Sequence, residues 1–124
     1  MATQIKITSG SFQIGAVLND SVTAKAVIGA LPIRAAAQRW GGEVYFTIPV
    51  SAPLEQENTD ILHAGQLGYW PPGKAFCIFF GKTPASNKTE IRAASPVNVV
   101  GHITDDFSAL WNVNSGDSVS IEPA

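Results

Sequence analysis

The chain has 124 residues, 45% hydrophobic and 15% charged, and its 8 Lys and Arg against 10 Asp and Glu leave a formal net charge of −2 at pH 7. That length suits a single domain spanning residues 1–124, and the apolar share excludes a disordered chain. The charge balance lacks the basic excess with which nucleic-acid binders neutralise phosphates, so no nucleic-acid partner is expected.

Residues 4–8 alternate polar and apolar, Ser9-Gly10 reads as a two-residue turn, and residues 11–14 alternate again. The pattern predicts a β-hairpin that buries Ile5, Ile7, Phe12 and Ile14. Asn19-Asp20-Ser21 carries helix-cap chemistry, and Ala24, Val27, Ile28 and Leu31 follow at one-face helical spacing. Pro32 ends that helix near Leu31. Residues 33–40 fit either a second short helix carrying Ala36, Ala37 and Trp40 or an irregular crossing. After Gly41-Gly42, residues 43–48 alternate again, with Val44, Phe46 and Ile48 on one face and Glu43 and Tyr45 on the other.

Residues 51–59 are polar and read as a loop; residues 60–65 lead to a turn, residues 67–70 are a short extended piece, and Pro71-Pro72-Gly73 is a rigid turn. Residues 75–80 form the longest fully apolar run. It suits a strand buried on both faces and is far shorter than the ~20 residues of a membrane-spanning helix, so no membrane partner is expected. Residues 81–92 read as a loop and 97–103 as a strand. Asp105-Asp106 caps a short helix through Leu110 or Trp111, residues 114–117 turn, and residues 118–121 close as a strand. Many short strands with little helix predict a mainly β protein, a small barrel or sandwich. The first six residues show no basic start leading into an apolar stretch, so a cytoplasmic location is expected.

The chemistry is sparse. Gly68 to Lys74 has the spacing of a phosphate loop, but Ala75 lacks the hydroxyl for magnesium, Pro71 and Pro72 have no N–H to donate, and a strand follows where a helix is required. His63 and His102 are isolated and Cys77 is the one cysteine, so no metal, no cofactor and no internal disulfide are expected. Cys77 inside an apolar strand reads as core rather than nucleophile. Glu43 and Tyr45, on the face opposite Val44 and Phe46, are the more promising polar pair. Trp70 beside the Pro-Pro turn, Lys74 as the cation at that turn, and Phe76 complete the ligand-binding candidates.

Four strings carry a resemblance: W-G-G-E-V-Y-F at residues 40–46, G-Y-W-P-P-G-K-A at 68–75, F-F-G-K-T-P at 79–84 and A-S-P-V-N-V-V-G at 94–101. Their order resembles the small prokaryotic cyclophilin-like family over nearly the whole chain. The resemblance implies a closed cyclophilin-type β-barrel with one or two short helices. It implies little about activity, because members are largely uncharacterised. True cyclophilins are peptidyl-prolyl isomerases with an apolar groove and an arginine, in a Phe-His-Arg pattern, that polarises the prolyl amide. The similar strand here, residues 43–48, has Glu43 or Tyr45 where that arginine is expected, and an ionised carboxylate donates no hydrogen bond. Arg39 and Arg92 lie outside the matching motif. The reading that follows is a binding domain for a small molecule or peptide segment, with a weak prolyl isomerase as the alternative. An enzyme of another class using Glu43 as acid or base is a third.

Overall fold

The computed structural model describes residues 2–124. The N-terminal alternation folds as a hairpin: β1 (Thr3–Ser9) pairs antiparallel with β2 (Phe12–Leu18), placing Ile7 opposite Ile14. The turn lies one residue later than the sequence suggests. Ser9 pairs with Phe12, so Gly10 and Ser11 form the loop, and Gly10 adopts a φ of 58°. The helix α1 (Val22–Gly29) starts where the cap chemistry places it, with the Ser21 hydroxyl accepting from the Ala24 N–H at 3.1 Å. It buries Thr23, Ala24 and Val27 and stops before Leu31.

Residues 33–40 are neither helix nor irregular. They form β3 (Ile33–Ala36) and β4 (Gln38–Trp40), because β10 (Ser118–Pro123) takes up the backbone of the first and β5 (Glu43–Thr47) that of the second. Local propensity is the weaker influence where a ladder partner waits on each side. The polar stretch after β5 is loop only as far as residue 57; β6 (Asn58–Leu62) pairs with the long β9 (Ile91–Ile103). Between them come β7 (Gln66–Trp70), a 3₁₀ turn at Pro71–Gly73 and β8 (Ala75–Phe79). A second 3₁₀ turn spans Ser108–Asn112, with Asp106 Oδ1 accepting from the Ser108 N–H at 2.8 Å.

The strands form one sheet in the order β3-β10-β1-β2-β9-β7-β8-β5-β4, with β6 paired to β9 off this path. The sheet is not closed into the barrel that the resemblance implies, since no ladder joins its two ends, β3 and β4. The reason is local. β3 and β4 are consecutive, separated by Ala37 alone, and both backbone groups of Ala37 are engaged elsewhere: its N–H donates to Asp117 O at 2.7 Å and its carbonyl accepts from the Gly116 N–H at 2.8 Å. The chain changes partner from β10 to β5 at this corner, so covalent continuity stands where a hydrogen-bonded seam would.

The sheet carries apolar clusters on both faces. The larger contains Ile5, Ile7, Val44, Phe46, Leu67, Tyr69, Phe76 and Ile78 among others, together with Ala24 and Val27 of α1. The smaller contains Leu62, Ala75, Cys77, Phe79, Ile91, Ala93 and Val97. β8 explains its unbroken apolar sequence: alternate residues serve alternate clusters, and all five are buried.

The loop after β5 is held by polar groups. Tyr69, fully buried, donates its hydroxyl to Val50 O at 2.5 Å. Asn98, 1% exposed, donates to Thr23 Oγ1 and Pro53 O, each at 3.0 Å, and its Oδ1 accepts from the Glu55 N–H at 2.7 Å. Thr23 in turn donates to Glu55. One side chain therefore ties β9, α1 and the loop together. Asn98→Ala is expected to cost about 2 kcal/mol, because the partners it abandons are at least partly buried. Chemical denaturation checks this; a change below about 0.5 kcal/mol would mean the loop finds other partners.

Candidate functional site

A cavity of about 260 Å³ opens on the face of the sheet that carries the smaller cluster, lined by Trp40, Glu43, Tyr45, Trp70, Ala93, Ala94 and Val97. Its volume falls just below the usual range of ligand pockets, ~300–1,000 Å³, so it suits a small group. The walls follow from strand parity. Residues 44 and 46 of β5 point into the main core, which sends Glu43 and Tyr45 to the other face. Gly41 and Gly42 close the β4–β5 hairpin, and Trp40 pairs directly with Glu43 across it. On the other side of β5, Glu43 stands opposite Phe79 and Tyr45 opposite Cys77.

On β7, Trp70 shares the cavity face, and its indole N–H donates to Ser95 Oγ at 2.6 Å, so its polar edge is already satisfied. Gly68, on the same face, leaves room for the floor: a Cβ there would lie 2.9 Å from Val97 Cγ2 and 3.2 Å from Phe79 Cε2.

Glu43 is the chemical centre of this arrangement. It is only 6% exposed, and burial raises its carboxyl pKa from 4.5 to about 7, partly countered by a hydrogen bond with Cys77. Burial and then the neighbouring Glu43 carboxylate push the Cys77 thiol well above its ordinary value. A fully buried, protonated thiol packs rather than attacks, in keeping with the core reading. The other titratable groups facing Glu43 are few. Tyr45 lines the cavity beside it, while β4, β7 and β9 contribute Trp40, Trp70, Ala93, Ala94 and Val97.

Of the five residues singled out from sequence, the structure brings Glu43, Tyr45 and Trp70 together. Phe76 lies in the larger core on the opposite face of β8, packed at 5.5 Å between ring centroids against Phe46. Lys74 is exposed beyond the Pro-Pro turn, in the left-handed conformation at φ 47°, and does not line the cavity. Trp40 is not evident as a site residue from sequence, although a signal is present: Gly-Gly flanked by two extended segments makes a hairpin, and its flanking residues become a facing pair. Ala93, Ala94 and Val97 carry no such signal, since small apolar residues on a strand are equally at home in any core.

The sequence profile of the cyclophilin-like family matches residues 3–122. The chain belongs to the cyclophilin-like family. Its fold is similar to the solution structure of a hypothetical protein from Archaeoglobus fulgidus, 40% identical, with a TM-score of 0.85 over 99% of this chain and 95% of that one. No curated protein matches it significantly.

In this cyclophilin-like chain the family strings converge for physical reasons. Gly42 O accepts from the Phe80 and Gly81 N–H groups at 2.8 and 3.0 Å, and the Gly42 N–H donates to Lys82 O at 2.7 Å, locking W-G-G-E onto F-F-G-K. G-Y-W-P-P-G-K-A supplies the Trp70 wall, and A-S-P-V supplies Ala94, Val97 and the Ser95 hydroxyl that holds it. The arginines stand elsewhere. The Arg39 guanidinium donates to Gly41, Trp111 and Val113 carbonyls and lies 5.3 and 5.4 Å from the Phe80 and Trp111 rings. Arg92 pairs with Asp60 at 3.0 Å and Glu90 at 3.4 Å. Among the described residues, no helix is long and apolar enough to cross a membrane.

Proposed function

We propose that this cyclophilin-like domain is a binding module that takes a small molecule or a short peptide segment into the cavity between Trp40 and Trp70. The observation that carries this reading is the buried carboxyl of Glu43 in an otherwise aromatic and aliphatic pocket. A folded chain conceals a carboxyl at a cost unless something answers it, and a concave apolar site with one placed polar group is the usual form of a ligand pocket. The lining favours binding over prolyl isomerisation, because no guanidinium reaches it to polarise a prolyl amide. The barrier to that rotation is about 18–20 kcal/mol, and without a guanidinium in the lining that means of lowering it is absent.

An X–Pro tetrapeptide and a set of small aliphatic and aromatic probes, titrated into ¹⁵N-labelled protein, test the proposal. Shift changes confined to Trp40, Glu43, Tyr45, Trp70 and their strand neighbours, without faster cis–trans exchange of the peptide, are the expected result. Accelerated exchange restores the isomerase, and the absence of any perturbation at high probe concentration removes the cavity from consideration.

A further inference from the structure

We propose that the cavity selects an organic cation, a small alkylated ammonium group seated among Trp40, Tyr45 and Trp70 with its charge against Glu43. This rests on the binding reading above and gives that ligand a chemical class. Four observations converge on it. The first is composition: three of the seven lining residues are aromatic, and the ring face of Trp or Tyr attracts a cation. The second is charge. Glu43 is almost wholly withdrawn from solvent, at 6% exposure, and no basic side chain lines the cavity with it. The guanidinium of Arg92 is taken up by Asp60 and Glu90. An anion entering here would meet a like charge, and a purely apolar ligand would leave the carboxylate charge unbalanced, with the Cys77 thiol as its neutral partner; a cation balances it.

The third is the apolar remainder of the lining. The methyl groups of a fully alkylated ammonium, which carries no N–H donor, match Ala93, Ala94 and Val97. The fourth is size, since a cavity of about 260 Å³ suits a compact headgroup.

The titration of Glu43 is consistent with this. Seating a cation favours the ionised carboxylate, so binding displaces a proton and strengthens as pH rises through the range in which Glu43 ionises. Cys77, Tyr45 and Glu43 itself are the titratable groups facing the site, and the thiol stays protonated across that range.

Calorimetric titration of the whole protein with choline and with its neutral carbon isostere, in which carbon replaces the nitrogen, tests the inference. At about pH 8, choline is expected to bind about tenfold or more tighter than the isostere, with the preference shrinking near pH 6. Glu43→Gln is expected to lose most of the preference, keeping only the part that the aromatic rings supply, while still binding the isostere. If wild-type protein binds the isostere as tightly as choline, the cation falls and the binding reading stands. If it binds neither, nor any probe of the earlier set, both fall. Acetylated, amidated trimethyllysine is the third arm. Tighter binding than choline assigns the ammonium to a polypeptide side chain, and weaker binding assigns it to a free small molecule; both outcomes support the cation.

Discussion

Gly42→Ala is expected to destabilise the protein by about 3–5 kcal/mol, lowering the midpoint of thermal unfolding by more than about 10 °C. The reason is distance, not backbone conformation. A Cβ at position 42 would lie 2.2 Å from the carbonyl carbon and 2.4 Å from the Cα of Gly81, atoms of a backbone that cannot rotate aside. The same segment donates two hydrogen bonds to Gly42 O and accepts one from its N–H, so relief by separation would break the ladder that joins the two family strings. Gly10→Ala is the control. Gly10 has a φ of 58°, and a methyl group there would meet nothing within 4 Å, so only the left-handed strain of about 1–2 kcal/mol applies. Reduced freedom of the unfolded chain offsets less than about 1 kcal/mol in both variants. Equal losses in the two would show that Gly42 and Gly81 are not in contact.

The second large effect is on the pH dependence of stability. A carboxyl with a pKa of about 7 when folded, against 4.5 as its ordinary value, binds more protons in the folded state between those two pH values. Stability from this group is therefore greatest below about pH 4.5, declines as pH rises, and is lowest above about pH 7. The shift of about 2.5 pH units corresponds to about 3 kcal/mol. Glu43→Gln is expected to remove this penalty, so that the variant is up to about 3 kcal/mol more stable than wild type at about pH 8 and loses that advantage near pH 4.5. The difference between two denaturation curves at each pH cancels every other titrating group. A constant difference across that range would mean that Glu43 is solvated, and the cavity with it. The outcome also bears on function, because an advantage for glutamine identifies a carboxyl retained at a cost to folding.

Much of the strand pattern is legible from local chemistry. The hairpin, the Ser21 cap, the Pro-Pro turn and the doubly buried β8 all rest on rules that act over a few residues: alternation, a hydroxyl at a helix start, proline's fixed φ. Parity along residues 43–48 is enough to set Glu43 and Tyr45 opposite Val44 and Phe46. Sequence does not say what covers that second face. An alternating polar residue looks the same whether it meets water or a cavity wall, and β9, which supplies Ala93, Ala94 and Val97, arrives from about 50 residues further along the chain.

Residues 33–40 depart from the expected helix or crossing for a related cause. Their alanines permit a helix, and β10 and β5 override that preference from distant and adjacent sequence alike. Phe76 reads as a site residue because aromatic character is visible in a sequence, whereas side-chain direction on a doubly buried strand is not. By itself, then, the sequence determined the strand-rich composition, the approximate places of the turns and the two faces of those strands that alternate polar and apolar, because these depend on neighbours in the chain. The open seam at Ala37, the contact of Gly42 with Gly81, and the burial that turns Glu43 from a surface carboxylate into a group titrating near neutrality were decided by the tertiary structure alone, because each depends on which distant backbone comes to lie alongside.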